Sequence, residues 1–156
     1  MTADPAGRIV DSDGRSKVYR PLSANDRRAA REAGLAAYAE GRFFEAHELL
    51  EPAWMGSAVA AERDLDQGMI KLAAAYVHAG RGNALGMRKN LEGARKRLAA
   101  VVDRGDASGR AAQRDAGVDA QALLAQVEDA LRRLSHLDAS AILVEAIPPP
   151  AVPRRG

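Results

Sequence analysis

Apolar residues recur at the spacing of an α-helix along most of the chain, and this periodicity restricts the fold more than any other feature. Between residues 84 and 103 one stripe is apolar while the opposite face is charged, a pattern that predicts an amphipathic helix. Comparable stripes predict helices over 24–39, from 42 onward, over 59–79 and over 119–135. Gly41 and the pair Gly80 and Gly82 separate neighbouring stripes and are typical of helix ends. The pattern therefore predicts an all-α fold, a compact bundle of about five helices built from antiparallel helical hairpins.

The composition agrees with close packing of helices through small side chains. The 156 residues are 47% hydrophobic but only 4% aromatic, and this length is suited to one domain with a single core. We expect a flexible N-terminal arm over residues 1–22, a helical bundle domain over 23–136 and a proline-rich C-terminal tail over 137–156. Within the bundle, the glycine-containing polar stretch 104–117 predicts a mobile loop.

Charge and residue usage exclude several classes of function. The formal net charge of +2 and a pI near 9.2 are too mild to indicate nucleic-acid binding, and the basic face over 88–97 lacks aromatic residues on which bases stack. The chain has no cysteine, so disulfides, thiolate metal sites and a cysteine nucleophile are ruled out. No apolar run reaches the ~18 residues of a membrane span, and the first residues do not resemble a signal peptide. We therefore expect a cytoplasmic protein that does not enter membranes.

One polar cluster interrupts an otherwise apolar stretch, residues 42–55. On a helix, His47 and Glu51 lie one turn apart and Glu48 lies beside them, in an arc that also holds the only tryptophan, Trp54. Polar groups buried among aromatic side chains require partners, because leaving them unpaired costs several kcal/mol. The cluster therefore predicts a ligand-binding pocket, lined by Phe44, His47, Glu48, Glu51, Trp54 and Tyr76.

Three interpretations of this cluster stay open from the sequence. In the first, His47 and Glu51 bind a divalent metal ion as cofactor, by analogy with the His-Glu-x-x-His pattern, and His78 completes the ligand set; Asp66 and His136 are the other candidates for that position. In the second, the two residues form a structural hydrogen-bonded pair. In the third, the pocket takes a small organic ligand or a peptide.

Catalysis has less support than binding. A metal-dependent hydrolase would use Glu48 as its base. The chain has no Gly-x-Ser-x-Gly nucleophile motif and no phosphate-binding loop. Catalytic residues are therefore not assigned, and whether the protein is an enzyme stays open, with binding favoured.

Pro52 follows the cluster directly. Proline lacks the N–H that would bond the carbonyl of Glu48, and it disfavours helical geometry at Glu51. We therefore expect the helix to kink or to end near residues 49–51.

Residues 41–54 read G-R-F-F-E-A-H-E-L-L-E-P-A-W, which resembles the G-x-[FY]-[FY]-E-A-H-E-x-x-E-x-x-W phrase of the bacterial domain of unknown function 309 family. Downstream, residues 67–73, Q-G-M-I-K-L-A, resemble a second conserved phrase of that family. The resemblance spans roughly residues 25–103. It implies a small intracellular all-α protein and no established reaction.

These features lead to two hypotheses about function. The first is a binding module centred on His47 and Glu51. The second is an interaction scaffold, since Gly34, Gly41 and Ala46 resemble one tetratricopeptide unit; there the polar cluster would be purely structural. The abundance of small residues further predicts a homodimer formed through an apolar helix face.

Overall fold

The computed structural model describes residues 8–10, 16–104 and 106–154, and helices dominate it. They are α1 (Ala24–Ala39), α2 (Phe43–Gly56), α3 (Ala60–Gly80), α4 (Ala84–Arg104), α5 (Ala107–Ala116), α6 (Ala120–Ser135) and α7 (Leu143–Ala146). The all-α prediction is confirmed, but the described residues form seven helices rather than about five. None of these helices has the length and apolar character needed to cross a membrane.

A short strand pair precedes the helices and was not expected from the sequence. Strands β1 (Arg8–Val10) and β2 (Ser16–Val18) run antiparallel, with Ile9 opposite Lys17. Residues 1–7 and 11–15 of the predicted N-terminal arm lie outside the described residues. Further along the arm, the backbone N–H of Leu22 donates to the carbonyl of Gly56 at 3.2 Å, so this part of the chain contacts the end of α2.

Helices α1 and α2 form the first hairpin. The side chain of Ser23 accepts a hydrogen bond from the backbone N–H of Asp26 at 3.1 Å and so caps α1, as its sequence position predicts. Gly41 has a φ of 78°, a conformation that L side chains rarely adopt, and this turns the chain into α2. Gly34 faces Leu50 across the hairpin so closely that a Cβ on Gly34 would lie 2.5 Å from the Leu50 Cγ.

Helices α3 and α4 form the second hairpin, which runs through the centre of the core. The turn uses Gly82 with a φ of 69°, and the Asn83 side chain accepts from the backbone N–H of Gly86 at 2.9 Å to cap α4. The small residues that suggested a homodimer are used inside the chain. Ala75 is fully buried and Gly68 packs against Leu98.

Helix α5 replaces the loop predicted over residues 104–117. The Asp106 side chain caps it by accepting from the backbone N–H of Gly109 at 2.9 Å, and Gly117 ends it in the left-handed conformation. Its buried face is made of small and polar residues such as Ala112, Gln113 and Ala116. The prediction was wrong because a face without large apolar side chains has no visible helical periodicity.

Helix α2 continues through Pro52 and ends at Gly56. Of the two outcomes expected near residues 49–51, an end of the helix is therefore wrong, and a kink stays a prediction. Pro52 is exposed and removes only one backbone hydrogen bond. The residues around it, Leu50 and Ala53, are buried in the core. Burial of that face outweighs the local preference of proline.

The C-terminal tail packs along the bundle rather than away from it. Leu143, the first residue of α7, and Ile147, directly after the helix, are buried in the main core. An isolated β-bridge joins Arg154 to Val118. Residues 155–156 lie outside the described part of the chain. The described part of the predicted tail, residues 137–154, therefore contributes to the fold.

Candidate functional site

Helix α2 brings three of the predicted site residues together. One potential ligand atom from each of His47, Glu48 and Glu51 lies within 4.8 Å of the others. His47 and Glu51 are neighbours because they are four residues apart on the helix, and Glu48 adds a carboxylate from the adjacent position. The cluster predicted from the sequence therefore exists as a spatial group.

The cluster is more exposed than the apolar arc suggests. The His47 side chain is 35% exposed and its Nδ1 lies 3.3 Å from Oε1 of Glu48, which is 55% exposed. Phe44, which widens the predicted arc, is 62% exposed. The reason is that α2 buries a narrower stripe, including Ala46, Leu50 and Ala53. Phe44 therefore faces outward, while Trp54 is partly buried against the core.

A cavity of about 150 Å³ adjoins the cluster between α2, α3 and α4. It is lined by His47, Glu51, Trp54, Gln67, Ile70, Lys71, Ala74 and Asn90. An imidazole, a carboxylate, an ammonium group and two amides thus surround one small space. Such a mixed set of donors and acceptors suits a compact polar ligand.

Gln67 adds a buried acceptor to this cavity. Its Oε1 is buried, and no described residue donates a hydrogen bond to it. Buried polar atoms normally have partners, because an unsatisfied one costs about 1–3 kcal/mol. A hydrogen-bond donor or a cation in the cavity would satisfy this oxygen.

Sequence reasoning missed five of the lining residues as site members: Gln67, Ile70, Lys71, Ala74 and Asn90. Gln67 and Lys71 are four residues apart, and both lie off the apolar face of α3. This spacing, which sets two polar residues beside each other on one side of a helix, could have been recognised in the sequence. Asn90 had no such signal, because it reaches the cavity only through the pairing of α3 with α4; its side-chain amide also donates to the carbonyl of Gly86 at 2.9 Å.

Trp54 forms a fixed wall of the cavity. The Arg63 guanidinium lies 4.8 Å from the centre of the indole ring, at the distance of a cation–π contact. Nη1 of Arg63 also donates to the Trp54 carbonyl at 2.7 Å. Since Arg63 is 1% exposed, these contacts fix the ring from the side of the core.

The structure places the other predicted site residues elsewhere. Tyr76 is buried and its hydroxyl donates to the Pro148 carbonyl at 3.2 Å, while Phe44 points outward, so neither lines the small cavity. His78 lies 3.1 Å from the amide nitrogen of Asn83 and is not in the group formed by His47, Glu48 and Glu51.

The two further candidates for a third metal ligand are also remote from the cluster. Asp66 is fully buried and accepts hydrogen bonds from Arg31 at 2.7 and 2.9 Å. His136 is exposed at the end of α6. The third potential ligand atom that lies beside those of His47 and Glu51 therefore belongs to Glu48 on the same helix.

This arrangement has the elements of a metal site with open positions. One imidazole nitrogen and two carboxylate oxygens suit divalent transition metals such as Zn²⁺, Mn²⁺ or Ni²⁺. Three protein ligands also leave coordination positions for water or another ligand. The same atoms can instead bind an organic ligand through hydrogen bonds.

No curated protein and no solved structure matches this chain. A family model does match, and the matched segment contains every residue that lines the small cavity, from His47 to Asn90. The segment ends before α5, α6 and the C-terminal tail. The resemblance seen in the sequence is thus confirmed for this segment: residues 32–90 match the model of DUF309, a domain of unknown function.

Proposed function

We propose that this protein is a binding module whose site is the cavity between α2, α3 and α4. The observation that carries the proposal is the convergence of His47, Glu48 and Glu51 within 4.8 Å, beside a polar cavity of about 150 Å³. The first ligand to test is a divalent metal ion. The cavity holds the volume of a few waters, at ~30 Å³ each, so a small polar molecule is the second.

The buried Gln67 oxygen supports a cationic or donor ligand. Together with the carboxylates it supplies negative partial charge, while His47 offers a nitrogen lone pair when neutral. Lys71 lines the same cavity, and its positive charge repels a bare cation. A cation that carries a bound anion or water as a further ligand is therefore favoured. A hydrolase that uses Glu48 as base would require such a metal first.

The scaffold hypothesis makes a different prediction for the same residues. If His47 and Glu51 only support the fold, replacing His47 should cost roughly 1–3 kcal/mol, because a buried carboxylate would lose its partner. The exposure of His47 and of its neighbour Glu48 argues for a smaller cost. We therefore expect His47→Ala to abolish ligand binding and leave the free energy of unfolding nearly unchanged.

Thermal unfolding with and without metal tests this proposal. The wild type and His47→Ala are each melted with chelator and with added Zn²⁺, Mn²⁺ or Ni²⁺. A metal at a hundred times its dissociation constant adds ~2.7 kcal/mol, which raises the melting temperature of the wild type by several degrees. The rise should be absent in His47→Ala.

His136→Ala is the matched control, because it removes an exposed imidazole at the end of α6 and should retain the full shift. Trp54, the only tryptophan, provides a second signal, since its fluorescence should change when the cavity fills. No shift with any metal, together with a His47→Ala variant that melts well below the wild type, would contradict the proposal and favour the scaffold.

A further inference from the structure

We propose that the bundle carries a groove that recognises proline-rich segments of other protein chains, and that its own C-terminal segment occupies this groove. The segment, residues 147–154, is called the strap below; the groove is the surface of α1, α2, α3 and α6 beneath it. This inference is independent of the metal or ligand site, because the cavities beside the strap share no lining residue with the cavity of that site.

Two tyrosines hold the centre of the strap. The hydroxyl of Tyr38 donates to the carbonyl of Pro150 at 2.7 Å, and that of Tyr76 donates to the carbonyl of Pro148 at 3.2 Å. Both tyrosines are almost fully buried. Burial raises the pKa of each hydroxyl above its ordinary value, so both groups remain donors throughout the neutral range.

Two further donors hold the second half of the strap. The side-chain amide of Gln126 donates to the carbonyl of Ala151 at 3.1 Å, and the backbone N–H of Asp119 donates to the carbonyl of Pro153 at 3.0 Å. The bundle therefore supplies hydrogen-bond donors and the strap supplies carbonyls at all four contacts.

This division matches the chemistry of a proline-rich segment. Residues 148–153 are P-P-P-A-V-P, and the four prolines have no backbone N–H to donate. Three consecutive prolines favour the extended polyproline conformation, in which carbonyls point outward without internal hydrogen bonds. A surface of donors thus suits backbone of this kind, because the prolines offer carbonyls and have no N–H that would need an acceptor.

The floor of the groove is aromatic. The rings of Tyr38 and Phe43 are 5.3 Å apart in an edge-on contact, and those of Phe43 and Tyr76 are 5.6 Å apart. Aromatic rows with hydroxyl donors are the surfaces on which proteins dock polyproline segments. The row contains half of the six aromatic residues of the chain.

A cavity lies beside the strap on each of two sides. A cavity of about 590 Å³ separates its residues Pro149, Pro150 and Val152 from Leu35 and Phe43. A second, of about 430 Å³, lies between the strap and α6 beside Ala130. An exposed loop at residues 138–140 precedes α7. The strap is therefore attached through its carbonyl contacts, the salt bridge of Arg154 with Glu32 and the packing of Ile147 and Val152 on the core. The two cavities leave room beside residues 148–151 for another segment.

Because the strap is tethered, it occupies the groove at a millimolar effective concentration. A segment from another chain must compete with the strap. The apparent affinity of the groove for that segment is therefore the intrinsic affinity multiplied by the fraction of molecules in which the groove is open. Weakening the strap without changing the groove should therefore strengthen binding in trans.

The test uses a loosened variant, Val152→Asp combined with Arg154→Glu. Val152 packs on the core, and Arg154 forms a 2.6 Å salt bridge with Glu32, so both changes weaken only the strap. The probe is a fluorescent peptide with the natural sequence of residues 143–154. Anisotropy should show about tenfold tighter binding to the loosened full-length chain than to the wild type.

Two controls make the result specific. Arg132→Glu reverses an arginine in another exposed ion pair, with Asp129, and should bind the peptide as the wild type does. Adding Tyr38→Phe to the loosened variant should weaken binding about fivefold, because the carbonyl loses its donor. A peptide with alanine at the three consecutive prolines should not bind.

Equal affinity of the wild type and the loosened variant, or no binding to either at about 1 mM peptide, would overturn the proposal. A doubled mass of the loosened variant relative to the wild type by light scattering would also overturn it, in favour of tail exchange between copies. If the loosened variant loses its helical circular dichroism, the same measurement is made on a chain with a Gly-Ser insertion after Ala139, which lowers the effective concentration of the strap.

Discussion

At the scale of single residues, a buried ion pair distinguishes the core from a purely apolar one. Arg31 and Asp66 are 1% and 0% exposed, and Nε of Arg31 lies 2.7 Å from Oδ1 of Asp66. Burial raises the pKa of Asp66, and the hydrogen bonds from Arg31 offset this only in part. Each charge is therefore tolerated because of the other, and α1 is fixed to α3 at this point.

Arg31→Met should lower the free energy of unfolding by about 3–5 kcal/mol, because it leaves the Asp66 carboxylate buried without its partner. Urea unfolding at neutral pH measures the change. Arg28→Met is the matched control, since Arg28 pairs with Asp115 on the surface with 47% of its side chain exposed. Its cost should stay within about 1 kcal/mol, and equal costs for both variants would contradict the assignment.

At the scale of helices, the short distance between α1 and α2 depends on a glycine, Gly34, which has no side chain at the point of contact. Gly34 lets the Leu50 side chain fill the space where a Cβ would lie, 2.5 Å from Cγ and 2.6 Å from Cδ2. Glycine costs about 1 kcal/mol relative to alanine inside a helix. The close packing of the hairpin that carries His47 compensates for that cost.

Gly34→Ala should destabilise the protein by about 1–3 kcal/mol, because overpacking forces Leu50 or the helix to move. Gly80→Ala provides the comparison. Gly80 is also helical, but a Cβ there would meet nothing within 4 Å, so its substitution should be neutral or slightly stabilising. Thermal unfolding of both variants checks this, and a neutral Gly34→Ala would show that the hairpin can relax.

At the scale of the whole molecule, the strap connects the C-terminal part of the chain to the first helix, α1. Its carbonyls receive hydrogen bonds from α1, α3 and α6, and Arg154 pairs with Glu32. The strap thereby covers the junction between the first hairpin and the C-terminal helices. Its attachment should contribute to global stability through Tyr38 and Tyr76.

This contribution has a defined pH dependence. Burial raises the pKa of both tyrosines above the ~10 of an unfolded chain, so their stabilising effect is fully present below pH ~10 and is lost as the pH rises beyond it. The stability difference between the wild type and Tyr38→Phe/Tyr76→Phe should therefore shrink above pH ~10 in denaturant titrations. A constant difference would mean that these hydroxyls ionise normally in the folded state.

Much of the fold could be predicted because its causes are local. The apolar stripes of α3 and α4, the Ser23 and Asn83 caps and the glycine turns at Gly41 and Gly82 all act within a few residues, so periodicity and capping rules located them. Helix α5 escaped prediction because its buried face is made of small and polar residues. Whether α2 ends or continues at Pro52 stayed open from the sequence, because burial of Leu50 and Ala53 is a tertiary effect.

The sequence by itself determined the helical class, the helical hairpins and the adjacency of His47, Glu48 and Glu51, since neighbours on one helix are set by its pitch alone. Only the tertiary structure decided that a cavity joins this cluster to Gln67 and Asn90. It also decided that His78 and Tyr76 lie outside the cluster, and that the strap packs on an aromatic row. These depend on contacts between helices far apart in the chain. Such contacts follow from how side-chain volumes and buried charges fit together, and no spacing along one segment encodes that fit.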